Sequence, residues 1–514
     1  MNTWQLRVPI AALCAAATLH IVAAATDSSP ANLPGPQVLS LGECLRTAME
    51  KNHQRPASRF ALAVAEAQHR QALAAYWPQI TAKGGWTELS NAPNFLFPAS
   101  SMYIPAQNVS IPGGTMVVTV PANSFAPGFP PAPIQMPVNF PGQTFTTSAQ
   151  VFPVPAQNVK LANPQNFEAS ADFTWLLFDG GMRSGLRRQA QGGIEAAQAD
   201  SRRTDLEITD SVVRLYWGAL LARRLRQIGD DTLAQMEVTL ELTQSMYQNG
   251  AGKVNKTDYL ENQVIVETIR SMVAELVRNQ AQAEAALAYT MGLQWDATVR
   301  PSAEELPYHP YAGDLHDLVA TAYEFNPDWA KIEAGLKALE GAATTARSDY
   351  FPKIAFTGDL YRWWNSYNAG IATGNNKKGW SIGIGLEIPL FNGFLTRNKI
   401  AEARAQLNKL KEQKLLLREG IGLQMRELFL SLEAASKTYQ AAEKAMVAAR
   451  EDRELTSRAY ESELVETEKV IRAQLFEALM NAQYQKARYD LAAIESQISV
   501  VVGKEISGRL NPHP

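Results

Sequence analysis

The chain has 514 residues with 48 basic and 51 acidic side chains, long enough for two or more ordinary domains and too evenly charged to point to nucleic acid. Arg7, apolar Val8–Val22 and the A-x-A site Ala23-Ala24-Ala25 read as a secretory signal, residues 1–25, so the mature chain starts near Thr26. Cys14 leaves with it and Leu13 spoils a lipidation site, which leaves Cys44 alone and excludes an intramolecular disulfide.

No run after residue 25 is long and apolar enough for a membrane helix. Export without such a helix leaves a soluble periplasmic or secreted protein, or an outer-membrane strand protein.

Leu39–Tyr76 reads as one helix. Ser40 with Glu43 forms a capping box, and Tyr76-Trp77-Pro78 stops it. Leu315–Tyr350 repeats the pattern, with Asn52 on Asn326 and Tyr350-Phe351-Pro352 at the stop. A strand follows each time, through Ile80 and Trp86 and through Ile354 and Leu360.

The connection after the first of these strands is long. Residues 91–165 hold 14 of the 28 prolines and one charge, Lys160. Proline density argues against regular sheet, and the lack of charge against a charge-rich disordered tail. The segment reads as an expanded loop, or as a cap or adhesive segment beyond one mouth of a pore. The second-half counterpart is a short loop, Asn365–Lys378.

Phe167–Gly180 and Trp380–Gly393 are the clearest strands. Trp380, Ile382, Ile384, Leu386 and Ile388 alternate with Ser381, Gly383, Gly385 and Glu387, the period of a strand with one apolar face. Leu177-Phe178-Asp179-Gly180 then matches Leu390-Phe391-Asn392-Gly393, and a helix begins at once in both cases.

Gly181–Gln248 and Phe394–Tyr460 are proline-free with apolar steps of three and four, helices of about 100 Å. Returning helices span Thr257–Tyr289 and Glu466–Val501. The chain thus reads as a tandem duplication, residues 26–293 and 314–503, with a proline-rich linker at 294–313 and a tail at 504–514.

Four alternating strands cannot close a barrel, and open edges in a bilayer leave backbone groups unsatisfied. The smallest membrane barrels have about eight strands, so three copies giving about twelve would be needed. Trp86, Trp175, Trp363, Trp364 and Trp380 suit an interfacial aromatic girdle, or packing between strands; Glu168, Asp172, Ser381 and Glu387 suit a water-filled lumen.

No histidine pair has metal-ligand spacing, and no phosphate loop or G-x-S-x-G elbow occurs. Neither an enzyme nor a cofactor is expected.

The ordered, duplicated set of Tyr-Trp-Pro and Tyr-Phe-Pro stops, Leu-Phe-Asp-Gly-Gly and Leu-Phe-Asn-Gly junctions, and the tips Tyr247–Gly250 and Tyr460–Gln474 resembles the TolC family of outer-membrane efflux proteins. The resemblance implies an α+β membrane protein. As a homotrimer it forms a 12-stranded transmembrane β-barrel in outer-membrane lipid, joined to a periplasmic α-helical coiled-coil barrel. It further implies a passive channel-tunnel for efflux or type I secretion, docked to a periplasmic adaptor and an inner-membrane pump or ABC transporter. The reading from another class is a soluble periplasmic scaffold or adaptor.

By the same resemblance Tyr247, Gly250, Ala251, Tyr460 and Leu464 are adaptor-docking tip residues, and Lys469 and Arg472 stand where TolC has entrance aspartates. Glu463 replaces a glycine usual in the family, and Glu463 and Glu466 share the entrance with the two cations. A ring of charge at a constriction sets ion preference; a solvated tip with i,i+3 or i,i+4 ion pairs is the plainer reading.

Overall fold

The computed structural model describes residues 36–105, 107–110, 114–119, 135–140, 144–249, 254–308 and 313–505. The expected signal segment, residues 1–25, and Gly250 and Ala251 lie outside these residues.

Strand β1 (Gln37–Leu39) is followed by helices α1 (Leu41–Lys51) and α2 (Gln54–Ala74) and strand β2 (Gln79–Glu88). Then come β3 (Asn94–Phe97), β4 (Ser100–Ile104), β5 (Gln107–Ser110), β6 (Gly114–Thr119), β7 (Gln135–Phe140), β8 (Thr144–Thr147), β9 (Gln150–Val154) and β10 (Gln157–Lys160). Strand β11 (Gln165–Phe178) leads into α3 (Met182–Gln248) and α4 (Lys256–Thr290). The second half runs β12 (Val299–Pro301), α5 (Leu315–Phe325), α6 (Pro327–Ser348), β13 (Lys353–Trp364), β14 (Lys378–Glu387), α7 (Leu395–Glu461) and α8 (Thr467–Val502).

The single helix expected over Leu39–Tyr76 is two helices, broken at Asn52, and Asn326 breaks its counterpart. Each Asn caps one helix end in extended conformation. Its Oδ1 accepts from the next helix, Asn52 from Gln54 N and Asn326 from Asp328 N, both at 2.8 Å. Its Nδ2 donates to a distant carbonyl, Thr290 O or Val501 O, both at 2.7 Å. A glycine closes each joint. Gly292 (φ 76°) and Gly503 (φ 78°) sit where a Cβ would fall 2.3 Å from Lys51 O and 2.2 Å from Phe325 O. The linker is also more regular than its prolines suggested, since β12 pairs parallel with β1.

The proline-rich segment overturns the expectation of irregular chain. Strands β3 to β6 pair antiparallel with β10 to β7, and one register holds from Asn94 opposite Lys160 to Thr119 opposite Gln135. Proline is tolerated because each strand of a two-stranded ribbon bonds along one edge only. Pro153, opposite Ser101, therefore costs no ladder bond if its missing N–H would have pointed outward.

The chain folds as two compact units. The first comprises 1–65, 193–336 and 409–514, and its described residues are helical apart from the short β1–β12 pair and connecting turns. One of its cores gathers Cys44 and Ala48 of α1, Ile208, Val212 and Tyr216 of α3, Leu287 of α4 and Met291 at its C-cap. Burial pushes the Cys44 thiol up to about 12, which leaves it inert. A second core joins Leu318 and Ala322 of α5 to Met425, Leu432 and Tyr439 of α7 and Leu491 and Ile498 of α8. A third lies at the helix tips.

The second unit comprises 66–192 and 337–408. It holds the ribbon and a four-stranded antiparallel sheet of order β14-β13-β11-β2. Strands β14 and β2 are its edges, each with a neighbour on one side only.

Candidate functional site

The register sorts the sheet into two chemically distinct faces. Trp86 lies opposite Phe167, which lies opposite Trp364; Leu360 lies opposite Trp380, and Phe356 opposite Ile384. These residues share one face across all four strands. Ile80, Trp380 and Ile384 are 74%, 70% and 70% exposed, an apolar surface far too continuous to suit water. Aromatic rings mark both ends of the face. From Phe167 to Trp175 along β11 is roughly 26 Å, matching the apolar band of about 25 Å in membrane barrels.

The opposite face is polar. Asp172 and Asp359 are directly opposed, Lys83 Nζ approaches Asp172 Oδ2 at 2.8 Å, and Ser381 bonds Asp359. Of the tryptophans singled out, Trp86, Trp175 and Trp380 fall on the apolar face. Trp363 falls on the polar one, opposite Glu168, while Trp364 tilts against Phe167 with ring centroids 5.0 Å apart.

Where sheet becomes helix, Gly180 and Gly181 turn the chain at φ 65° and 98°, and Gly393 and Phe394 repeat the turn at φ 65° each. Asp179 anchors the first turn. Its carboxylate accepts from the Gly181 and Arg183 backbone N–H groups, both at 2.9 Å, and from Arg183 Nε at 2.6 Å. Desolvation raises the Asp179 pKa, but these bonds and the guanidinium charge outweigh it and hold the carboxyl below its ordinary value. Arg183 continues to Leu176 O at 2.7 Å and lies over the Tyr76 ring.

At the other end of the long helices, two hairpins, α3–α4 and α7–α8, are clasped by buried hydroxyl and amide groups. Thr243 Oγ1 and Tyr460 OH are 2.8 Å apart, and Tyr460 OH and Thr467 Oγ1 3.1 Å. Asn262 Nδ2 donates to Thr243 Oγ1 at 3.3 Å, and Gln474 Nε2 to Thr239 Oγ1 at 2.8 Å. Thr243 and Asn262 are wholly buried, and Tyr460 is 3% exposed. Around this polar strip pack Met236, Val266, Val470 and Ile471. Sequence reading found Tyr460 but not its partners. The available signal was polar residues at core spacing, Thr239 and Thr243, one helical turn apart.

Glu463 takes φ 57°, while Leu464 N bonds Ala459 O at 2.8 Å and Glu463 N bonds Tyr460 O at 2.9 Å. This is a Schellman-type stop, whose left-handed residue favours glycine. Glu466 caps α8 without a side-chain bond. Lys469 and Arg472 are exposed on one face of α8, and among the described residues no ion pair reaches either. Val470, Ile471, Ala473 and Gln474 face inward. Tyr247 stacks on Tyr259 with centroids 6.4 Å apart, and Leu464 is 73% exposed. Gly250 and Ala251 lie outside the described residues.

The chain is similar to Protein CyaE of Bordetella pertussis, 27% identical over 280 residues, or 54% of this chain and 58% of that protein. It is similar to Outer membrane protein OprJ of Pseudomonas aeruginosa, 28% identical over 259 residues, or 49% of this chain and 50% of that protein. The chain thus spans between half and three-fifths of the length of these relatives. The outer membrane protein VceC of Vibrio cholerae has the same fold, with a TM-score of 0.66 at 13% identity over 91% of this chain and 97% of that one. The family model described as "Outer membrane efflux protein" matches residues 143–293 and 318–504, most of both halves, and the chain belongs to the outer membrane efflux protein family.

Proposed function

We propose that the chain is the subunit of a passive outer-membrane channel-tunnel serving a tripartite efflux or type I secretion system. The observation that carries this reading is the four-stranded sheet, with one face apolar except for Arg362, Lys378, Gln165 and Glu88 gathered at one end, the other face largely polar, and bare edges at β2 and β14. Such edges cannot stand in lipid unpaired. Three copies would join β14 of one to β2 of the next and close a barrel of about twelve strands, with lipid outside and water inside. The long helices would form a periplasmic tunnel. Energy would come from an inner-membrane pump or ABC transporter, reached through an adaptor at Tyr247 and Leu464; Tyr460, expected among the docking residues, is buried and holds the tip from within. A soluble scaffold would have no use for the two-faced sheet.

In the closed trimer Lys469 and Arg472 would ring the entrance beside Glu463 and Glu466 and make it less acidic than an aspartate ring. Single-channel selectivity of Lys469→Asp/Arg472→Asp against wild type tests this: a shift toward cations supports a basic entrance, and no shift refutes it. The conduit itself is tested by fractionation and unheated gels. A detergent-resistant trimer in the outer membrane supports it, and a soluble monomer sinks it.

A further inference from the structure

A cavity of about 650 Å³ opens beside the sheet end of the helices in the second unit. His69 and Leu73 of α2, Arg187, Arg188 and Gln191 of α3, and Lys337 and Glu340 of α6 line it. Three cations thus meet one carboxylate, with an imidazole beside them. Arg183, one turn before Arg187, is fully engaged by Asp179, Leu176 O and Leu177 O. Arg187 and Arg188 differ: among the described residues neither has a hydrogen-bond or ion-pair partner, although both are exposed.

The cavity wall is built by close helix packing. A Cβ on Gly341 of α6 would lie 2.6 Å from Gly185 O and 3.0 Å from Arg188 Cβ, and one on Gly185 would lie 2.6 Å from Gly341 O. Only glycine at both places lets α3 and α6 approach so closely, and that approach sets Arg188 against α6.

We propose that this cavity binds the phosphate of an anionic ligand. Guanidinium groups match phosphate oxygens two at a time, and two unpartnered arginines lining one cavity supply more donors than one surface cation could. Position favours a lipid headgroup as the source. Arg187 stands about 8 Å along α3 from the first helical residue, and helix side chains lean toward the N-terminus, here toward the sheet. Basic pockets between helices at a membrane boundary suit phospholipid headgroups. This placement rests on the sheet being membrane-embedded.

The test uses the full chain in nanodiscs of phosphatidylcholine with or without phosphatidylglycerol, with retained lipid counted by native mass spectrometry. Wild type is expected to retain phosphatidylglycerol at least tenfold better than Arg187→Gln/Arg188→Gln. Lys411→Gln, an exposed change on α7, serves as the control and should match wild type. A second arm titrates inorganic phosphate into detergent-solubilised protein and follows thermal stability. Stabilisation of wild type but not the double variant supports the phosphate site with a free anion as its source. Lipid retention without a phosphate effect supports the headgroup as its source. Equal lipid retention by wild type and double variant together with no phosphate effect overturns the proposal. If the membrane reading failed, no trimer would appear on unheated gels, and the phosphate arm would still be readable.

Discussion

Thr243 Oγ1 and Tyr460 OH meet at 2.8 Å in the buried interior of the helix tips, and this contact ties the α3–α4 hairpin to the α7–α8 hairpin. Tyr460→Phe keeps the ring in its cluster and removes only the hydroxyl. Thr243 and Thr467 then lose a buried partner, a cost of about 1–3 kcal/mol. The variant is expected to melt lower and, if the tips close the conduit, to show larger or more frequent conductance in planar bilayers. Unchanged conductance and melting would remove the clasp from the closing mechanism.

The Schellman-type stop at Glu463 should improve with the residue its geometry prefers. A non-glycine residue in the left-handed region costs about 1 kcal/mol. Glu463→Gly is expected to recover up to that amount, less the extra freedom glycine gives the unfolded chain. Differential scanning calorimetry would detect it as a modest rise in melting temperature.

Gly503 behaves oppositely. Its φ of 78° and the 2.2 Å approach of a built Cβ to Phe325 O leave no room for alanine. Gly503→Ala is expected to destabilise by about 2 kcal/mol or more, and Gly292→Ala by a similar amount, because each breaks the joint its Asn organises. Chemical denaturation checks both.

Asp179 makes the sheet-to-helix junction acid-sensitive. Its folded pKa is depressed, so its contribution is complete above the ordinary carboxylate value and is lost as pH falls through the lower folded one. Asp179→Asn leaves the largely buried Arg183 without its charge partner, with side chains 11% and 8% exposed in the wild-type pair. A loss of about 3 kcal/mol is expected at neutral pH. Melting temperatures between pH 2 and 6 should fall less steeply for the variant than for wild type.

The two faces of β14 predict opposite tolerance. Ile384→Lys on the apolar face is expected to cost about 2–4 kcal/mol in a bilayer, whereas Ser381→Lys on the polar face is expected to leave folding intact. Yield of heat-modifiable trimer in the outer membrane distinguishes them, and equal yields would refute the face assignment.

Deleting Pro98–Pro155 removes most of the ribbon while sparing β2 and β11. Trimer assembly is expected to survive, since the ribbon pairs only with itself among the described residues. Loss of assembly would refute its place as an outer extension.

Much of this fold was legible because its signals are local. The alternation in Trp380–Leu386 reports a two-faced strand, and the proline-free stretch before Gln248 reports a long helix. Asn52 was visible as a repeated residue, but its role was not: the break needs Thr290 O, 238 residues away, to receive its amide. Proline density hides the ribbon because proline removes a ladder bond for certain only in a strand paired on both sides, and each ribbon strand is paired on one. Trp363 and Trp364 are adjacent, and only register decides which of them shares a face with Trp86.

The sequence by itself therefore determined the duplicated order of elements, the strand and helix periods, and the need for partners along the sheet edges. Those follow from side-chain spacing and backbone hydrogen-bond requirements within short windows. Only the tertiary structure decided which polar residues meet at the tips and which prolines fit a ribbon. It also decided that Arg187 and Arg188 share a cavity with α2 and α6. Each of these depends on segments far apart in the chain coming within a few ångströms, a distance no local pattern encodes.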